Sequence, residues 1–126
     1  MKRIFLGLAL LLALLGIAAV ITVRMDRVYE PITNALRQAA EAAEADDWKK
    51  AAFLADQAKT RWEEQRRFTA TVADHSPMDE IDGLFAELEI YLRQQEMPHF
   101  AATCRHLAML SEAMGDNHAL NLWNLL

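Results

Sequence analysis

The sequence has 126 residues, the length of one domain, and 53% of them are hydrophobic. All 18 acidic residues lie after Arg24, whereas Lys2, Arg3 and Arg24 account for three of the 13 basic ones, so the chain from Met25 onward has a formal charge of −8. A surface this acidic argues against nucleic-acid binding, and the single cysteine, Cys104, excludes an intramolecular disulfide.

The segment from Ile4 to Val23 has no charged residue and predicts a transmembrane helix. Its 20 residues span about 30 Å as a helix, which matches the hydrocarbon thickness of a bilayer. A cleaved signal peptide, with Gly16-Ile17-Ala18 as its cleavage site, and a buried core helix are the alternatives. We interpret residues 1–24 as an uncleaved signal-anchor.

The charges beside this segment predict its orientation. Lys2 and Arg3 precede it, and a very short N-terminus before a signal-like segment normally stays in the cytoplasm. We therefore expect a single-pass protein of the cell membrane with a cytoplasmic N-terminus. Residues 25–126 would form an acidic, all-helical domain on the extracytoplasmic side.

The first half of that domain predicts two helices that are rich in alanine. Pro31 is tolerated in a first helical turn, so a helix is expected from Ile32 to about Ala45. Asp46 and Asp47 then provide a stop and a new N-cap for a helix from Trp48 to about Ala73. The expected buried positions are Ile32, Ala35, Leu36, Ala39, Ala40, Ala43, Trp48, Ala51, Ala52, Ala55, Ala58, Trp62 and Phe68.

The second half predicts two further helices and a short final one. Ser76-Pro77 is typical of a helix start, with Ser76 as the N-cap of a helix from Met78 to about Gln95. Pro98 opens the next helix, which Gly115 would end, and Asp116 would cap the last. The inward stripes are Ile81, Leu84, Phe85, Leu88, Tyr91 and Leu92, and then Phe100, Cys104, Leu107, Leu110 and Met114.

No segment alternates polar and apolar residues with a period of two. The fold class predicted is therefore all-α: one N-terminal transmembrane helix followed by a small antiparallel bundle of about four helices.

The residue types that bind metals or perform catalysis form no strong motif. Glu96 and His99 have the spacing of di-iron helices but lack a second such pair, and Asp74-His75-Ser76 is adjacency in sequence without triad geometry. Cys104 lies on an apolar stripe, where an inert thiol is expected. The acidic residues Asp79, Glu80, Asp82, Glu87 and Glu89 have the pattern of a solvated helix face. We expect no enzymatic activity, no metal and no cofactor.

The end of the chain concentrates apolar residues. Leu122, Trp123, Leu125 and Leu126 follow each other closely, and such a tail must be docked or must bind a partner. These four residues are the predicted partner-binding site.

Several short motifs resemble those of one uncharacterised bacterial family. They are the N-terminal Met-Lys-Arg with its apolar segment, Trp62, His75-Ser76-Pro77-Met78, Leu84-Phe85-Ala86-Glu87-Leu88 and Asn124-Leu125-Leu126. The chain is similar over its whole length to domain-of-unknown-function family 4363, small single-pass membrane proteins chiefly of spore-forming Gram-positive bacteria. The resemblance implies a cell-membrane location and a multi-pass membrane protein as partner, and it carries over no catalytic residue.

Two functions are compatible with these features. The first is a non-enzymatic, membrane-anchored helical interaction module, in contact with lipid through residues 4–23 and acting as an accessory subunit of a larger membrane protein. The alternative is an extracytoplasmic sensor or binding domain that holds a small ligand or a cation between its helices.

Overall fold

The structure is a computed structural model. It describes the backbone of residues 1–69 and 75–125, and the side chains of residues 1–20, 28–67 and 77–116. Within this part of the chain the elements are α1 (Lys2–Glu44), α2 (Trp48–Thr69), α3 (His75–Gln94) and α4 (Met97–Leu125), with no strand. The prediction of an all-α fold with an N-terminal apolar helix and helices packed on one another is confirmed.

Helix α1 is continuous for 43 residues and joins the apolar segment to the bundle. The predicted separate helix beginning at Ile32 is therefore wrong, since Pro31 lies inside α1. A proline in a helix interior removes one backbone hydrogen bond and costs about 3 kcal/mol. Burial of Tyr29 and Ile32 on either side of it, at 2% and 1% exposure, offsets that cost. The boundary between residues 24 and 25 is thus a change in composition within one helix.

The α1–α2 turn and the α3–α4 turn end the preceding helix with the same backbone geometry. Asp46 and Gln95 have positive φ angles of 61° and 52°. The amide that follows each of them donates to a carbonyl five residues earlier, Asp47 to Ala42 at 2.8 Å and Glu96 to Tyr91 at 3.1 Å. This pattern is the Schellman motif, here without the usual glycine.

The predicted N-cap at the start of α2 is present. The Asp47 carboxylate accepts a hydrogen bond from the Lys50 amide at 3.2 Å, which satisfies one of the free N–H groups of the first turn. At the other predicted start, α3 begins at His75, one residue before Ser76, whose side chain lies outside the described residues, as does that of Phe68. Helix α2 ends at Thr69, before the predicted end near Ala73.

Helix α1 packs most extensively on α4 and then on α2, while α3 packs on α4 and has few contacts with α2. The predicted inward stripes form the core, with Trp48, Ala52, Leu84, Tyr91, Leu92 and Leu110 only partly buried. Much of the core is alanine, which lets helix axes approach closely. The largest fully buried side chains are Trp62, Phe100, Ile32, Leu36, Met78, Leu107 and Cys104.

Gly115 does not end a helix, so the predicted stop and the short final helix are both wrong. Helix α4 continues through Gly115 to Leu125, and none of the described glycines has a positive φ angle. A Cβ atom added at Gly115 would lie 3.6 Å from Cβ of Tyr29 on α1. The glycine therefore marks a close approach of α4 to α1.

Candidate functional site

Asp79, Asp82 and Glu89 of α3 form ion pairs or hydrogen bonds with side chains of α2. The Asp82 carboxylate accepts hydrogen bonds from Trp62 Nε1 at 2.8 Å and from Arg66 Nε at 2.6 Å. Asp79 lies 3.8 Å from the same guanidinium group. These bonds join α2 to α3 across a boundary where the two helices otherwise contact each other little. The structure therefore gives part of the predicted acidic face a role in helix packing.

Further along α3, Glu89 pairs with Lys59 of α2 at 3.7 Å and with Arg93 of its own helix at 3.0 Å. Glu80 and Glu87 are exposed, as predicted for a solvated face. Because each of these ion pairs is itself largely exposed, each contributes at most about 1 kcal/mol.

The residues with metal-binding chemistry are dispersed. Among the side chains that the structure describes, no group of three or more His, Cys, Asp or Glu residues could hold a metal ion. His99 Nδ1 lies 3.6 Å from Glu96, and its ring centre lies 5.2 Å from that of Tyr91. The predicted alternatives at Asp74, His75 and Ser76 lie outside the described side chains.

Cys104 is fully buried between α4 and the rest of the core. Burial raises the pKa of its thiol from 9.0 to about 12, because the thiolate would lose its hydration, and the positive charge of Arg105 lowers the pKa only in part. Since the thiolate is the reactive form, the thiol is inert at neutral pH. The neighbouring Arg105 and His106 are exposed, on other faces of the helix.

A groove of about 630 Å³ lies between α1 and α2. Its α1 wall is Val28 and Pro31, which lie five and eight residues after Val23, the end of the apolar segment. Its α2 wall combines apolar, charged and amide groups: Phe53, Asp56, Gln57, Thr60, Arg61, Glu64 and Gln65. The site is open and amphipathic.

Phe53 is the residue of this groove that the sequence analysis missed. It is 68% exposed and lies on the face of α2 opposite Ala51, Ala55 and Ala58. An aromatic residue among the charged residues of an amphipathic helix was the signal available in the sequence, since exposed aromatic side chains are enriched at interfaces.

The predicted partner-binding residues Leu122, Trp123, Leu125 and Leu126 have side chains outside the part of the chain that the structure describes. The prediction for them stays a prediction. The structure describes only the backbone here, which continues as helix α4 through Leu125.

One helix among the described residues, at the N-terminus, is long and apolar enough to cross a membrane. Its large apolar side chains are exposed, from Ile4 at 76% to Val20 at 59%. In this segment Ala18, at 6% exposure, is buried.

Comparison with known proteins gives one result. The family model described as "Domain of unknown function (DUF4363)" matches residues 20–125. No curated protein and no solved structure matches the chain. Because the match covers most of the sequence, from the end of the apolar segment to the end of α4, the chain belongs to the DUF4363 family.

Proposed function

We propose that this protein is a non-enzymatic, membrane-anchored helical interaction module. Residues 4–23 cross the cell membrane, with Lys2 and Arg3 on the cytoplasmic side, and the acidic bundle is presented to a membrane-protein partner on the other side. One observation carries the proposal: the uncharged segment and the buried residues of the bundle belong to the same unbroken helix, α1.

The exposed apolar surface of α1 supports the membrane location. Its Leu, Ile and Phe side chains between Ile4 and Val20 are 42–76% exposed. Each large apolar side chain gains about 1.5–3 kcal/mol when it is removed from water. A bilayer supplies that environment over the length of the segment.

The groove beside Phe53 is the surface that we assign to the partner. Val28 lies about 7.5 Å along α1 from Val23, so the groove opens just above the expected bilayer surface. A juxtamembrane segment of an integral membrane protein can reach it without crossing the rest of the domain. Exposed Phe53 provides an apolar anchor, and the charged lining residues Asp56, Arg61 and Glu64 leave a net negative charge that favours basic residues on the partner.

Cross-linking of the full-length protein in its native membrane, followed by purification and mass spectrometry, tests the proposal. We expect one stoichiometric membrane protein to be recovered, and its recovery to be lost with Phe53→Asp. Ile90→Asp is the matched control, since Ile90 is 53% exposed on α3, away from the groove. Equal recovery with both variants would refute the assignment of the groove, and recovery of the protein alone would refute the interaction module.

A second function is favoured by the size of the groove. Its volume lies within the range of about 300–1,000 Å³ typical of small-molecule sites. A ligand-binding domain would show a rise in melting temperature with a metabolite, and Phe53→Ala would abolish the rise. The absence of any shift across a metal and metabolite panel would leave the interaction module as the function.

A further inference from the structure

Helix α4 is the longest helix of the bundle after α1. It has 29 residues, against 22 in α2 and 20 in α3. Because α4 runs back along α1 toward the apolar segment, its extra residues must lie beyond the ends of the shorter helices. The position of its last turns follows from the register of the two helices.

Three contacts show how the two helices run, and the Cβ contact among them fixes the register, because long ion-paired side chains lean toward the N-terminus of their own helix and so join residues that are not level. Glu44 of α1 pairs with Arg105 of α4, and Arg37 pairs with Glu112 at 2.8 Å. The closest approach is that of Gly115 to Tyr29, where an added Cβ would lie 3.6 Å from Tyr29 Cβ. As the residue number rises on α4 it falls on α1, so the two helices are antiparallel over this length.

The register can be extended to the end of α4. Leu125 lies ten residues beyond Gly115, which is about 15 Å along a helix. The same distance along α1 from Tyr29 leads to Ala19. Val23 ends the uncharged segment, so the backbone of Leu125 is level with a point about 6 Å inside it.

The burial of Ala18 supports this extension independently. Between Met1 and Val20, where the structure describes every side chain, Ala18 is the buried residue, at 6%, while Ile17 and Val20 are 57% and 59% exposed. Another part of the chain must therefore cover α1 at this level. Helix α4 has the register to reach it.

The composition of the last turns suits a membrane interface. No acidic residue, lysine or arginine follows Asp116, and the final eight residues are Ala119-Leu120-Asn121-Leu122-Trp123-Asn124-Leu125-Leu126. Tryptophan is enriched where the acyl chains meet the head groups. The register places the end of α4 at this level of the bilayer.

We propose that residues 119–125, the end of α4, lie in the interfacial layer of the bilayer beside α1, with lipid as the environment of this apolar segment. The proposal rests on the membrane anchoring of α1 proposed above. It assigns lipid, instead of a protein partner, to the apolar tail. The domain then contacts the membrane at two adjacent points, which restricts its rotation about α1.

Spin labelling of the full chain in phosphatidylcholine–phosphatidylglycerol vesicles tests this assignment. A nitroxide is attached at Leu125→Cys in a Cys104→Ala background, and its collisions with oxygen and with a water-soluble nickel chelate are compared. Met109→Cys, on the exposed side of α4, is the aqueous control because Met109 is 59% exposed. Leu12→Cys, in the middle of the apolar segment, is the membrane control.

We expect the ratio of oxygen to nickel collisions to be several-fold higher at Leu125→Cys than at Met109→Cys. A label at Leu120→Cys, five residues earlier, should give an intermediate ratio and so a second reading of depth. Nickel-dominated collisions at position 125, with oxygen-dominated collisions at position 12, would overturn the inference while the anchor stands. Few collisions of either kind at position 125 would indicate cover by protein and would also overturn it. Nickel-dominated collisions at position 12 would refute the anchor itself and the inference with it.

Discussion

Replacing Gly115 with alanine should stabilise the protein. In the structure Gly115 lies within α4 at an ordinary helical conformation, and the added Cβ would meet Tyr29 Cβ and Cδ2 at 3.6 Å, which is a normal van der Waals distance. Alanine is favoured over glycine in a helix interior by about 0.5–1 kcal/mol. The new methyl group is also buried, so we expect the free energy of unfolding to rise by about 1 kcal/mol in total.

The sign of the change in the free energy of unfolding distinguishes a continuous α4 from a helix that ends at Gly115. If Gly115 ended a helix in the left-handed conformation, alanine would be strained there and would destabilise the protein by about 1 kcal/mol. Urea unfolding of the full chain in detergent micelles, followed by circular dichroism, measures the difference. Gly83→Ala is the matched control, because Gly83 is also helical and faces open space. A loss of stability at Gly115 with a gain at Gly83 would refute the continuous α4.

Three further predictions use the same unfolding assay. Asp82→Ala should lower the free energy of unfolding by about 1–2 kcal/mol, because it leaves the buried indole N–H of Trp62 without an acceptor and removes the ion pair with Arg66. Thr33→Val should raise it by about 1 kcal/mol, because the Thr33 hydroxyl is buried and has no hydrogen-bond partner among the described residues. The raised pKa of Cys104 means that its burial favours the folded state below pH 9.0, and this contribution should be lost as the pH rises from 9.0 through about 12.

Each of these predictions has a control. Glu80→Ala removes an exposed carboxylate from the same helix as Asp82, so a comparable loss of stability would mean that general charge effects explain the result. For Thr33, replacement by serine keeps the hydroxyl and should give no gain. For Cys104, the variant Cys104→Ala should lose less stability than the parent between pH 9 and pH 11, and equal losses would contradict the role of the thiol.

The core was predictable because its signal is periodic. Alanine, leucine and aromatic residues recur at helical spacing in each segment, and burial follows that spacing in α1 to α4. The helix boundaries at Pro31 and Gly115 were not predictable from local preference. Proline at a first turn and glycine after a last turn are frequent, but here Pro31 lies inside α1, between the buried residues Tyr29 and Ile32, and Gly115 lies inside α4 against Tyr29. At Gly115 the contact joins segments more than 80 residues apart in sequence, which local preference cannot anticipate.

The polar contacts were hidden for a related reason. The bond between Trp62 and Asp82 joins residues 20 apart in sequence, and its existence depends on how α2 and α3 are rotated about their axes. The pattern of charges in the sequence identifies an acidic face, but it does not show which lysine or arginine side chains form ion pairs with that face. Phe53 departs from the core stripe of its own helix, and only the position of α1 shows that it borders a groove.

Because α1 is one continuous helix, a tilt of its apolar segment tilts the whole domain by the same angle. Glu44 lies 21 residues beyond Val23, so the outer edge of the bundle is about 32 Å from the expected membrane surface. Membrane helices tilt by about 20° on average, and a tilt of that size would move this edge sideways by about 11 Å. A change in bilayer thickness, or a partner whose binding changes the tilt of α1, would therefore displace the outer turns at Asp46 and Gln95 without any rearrangement within the domain.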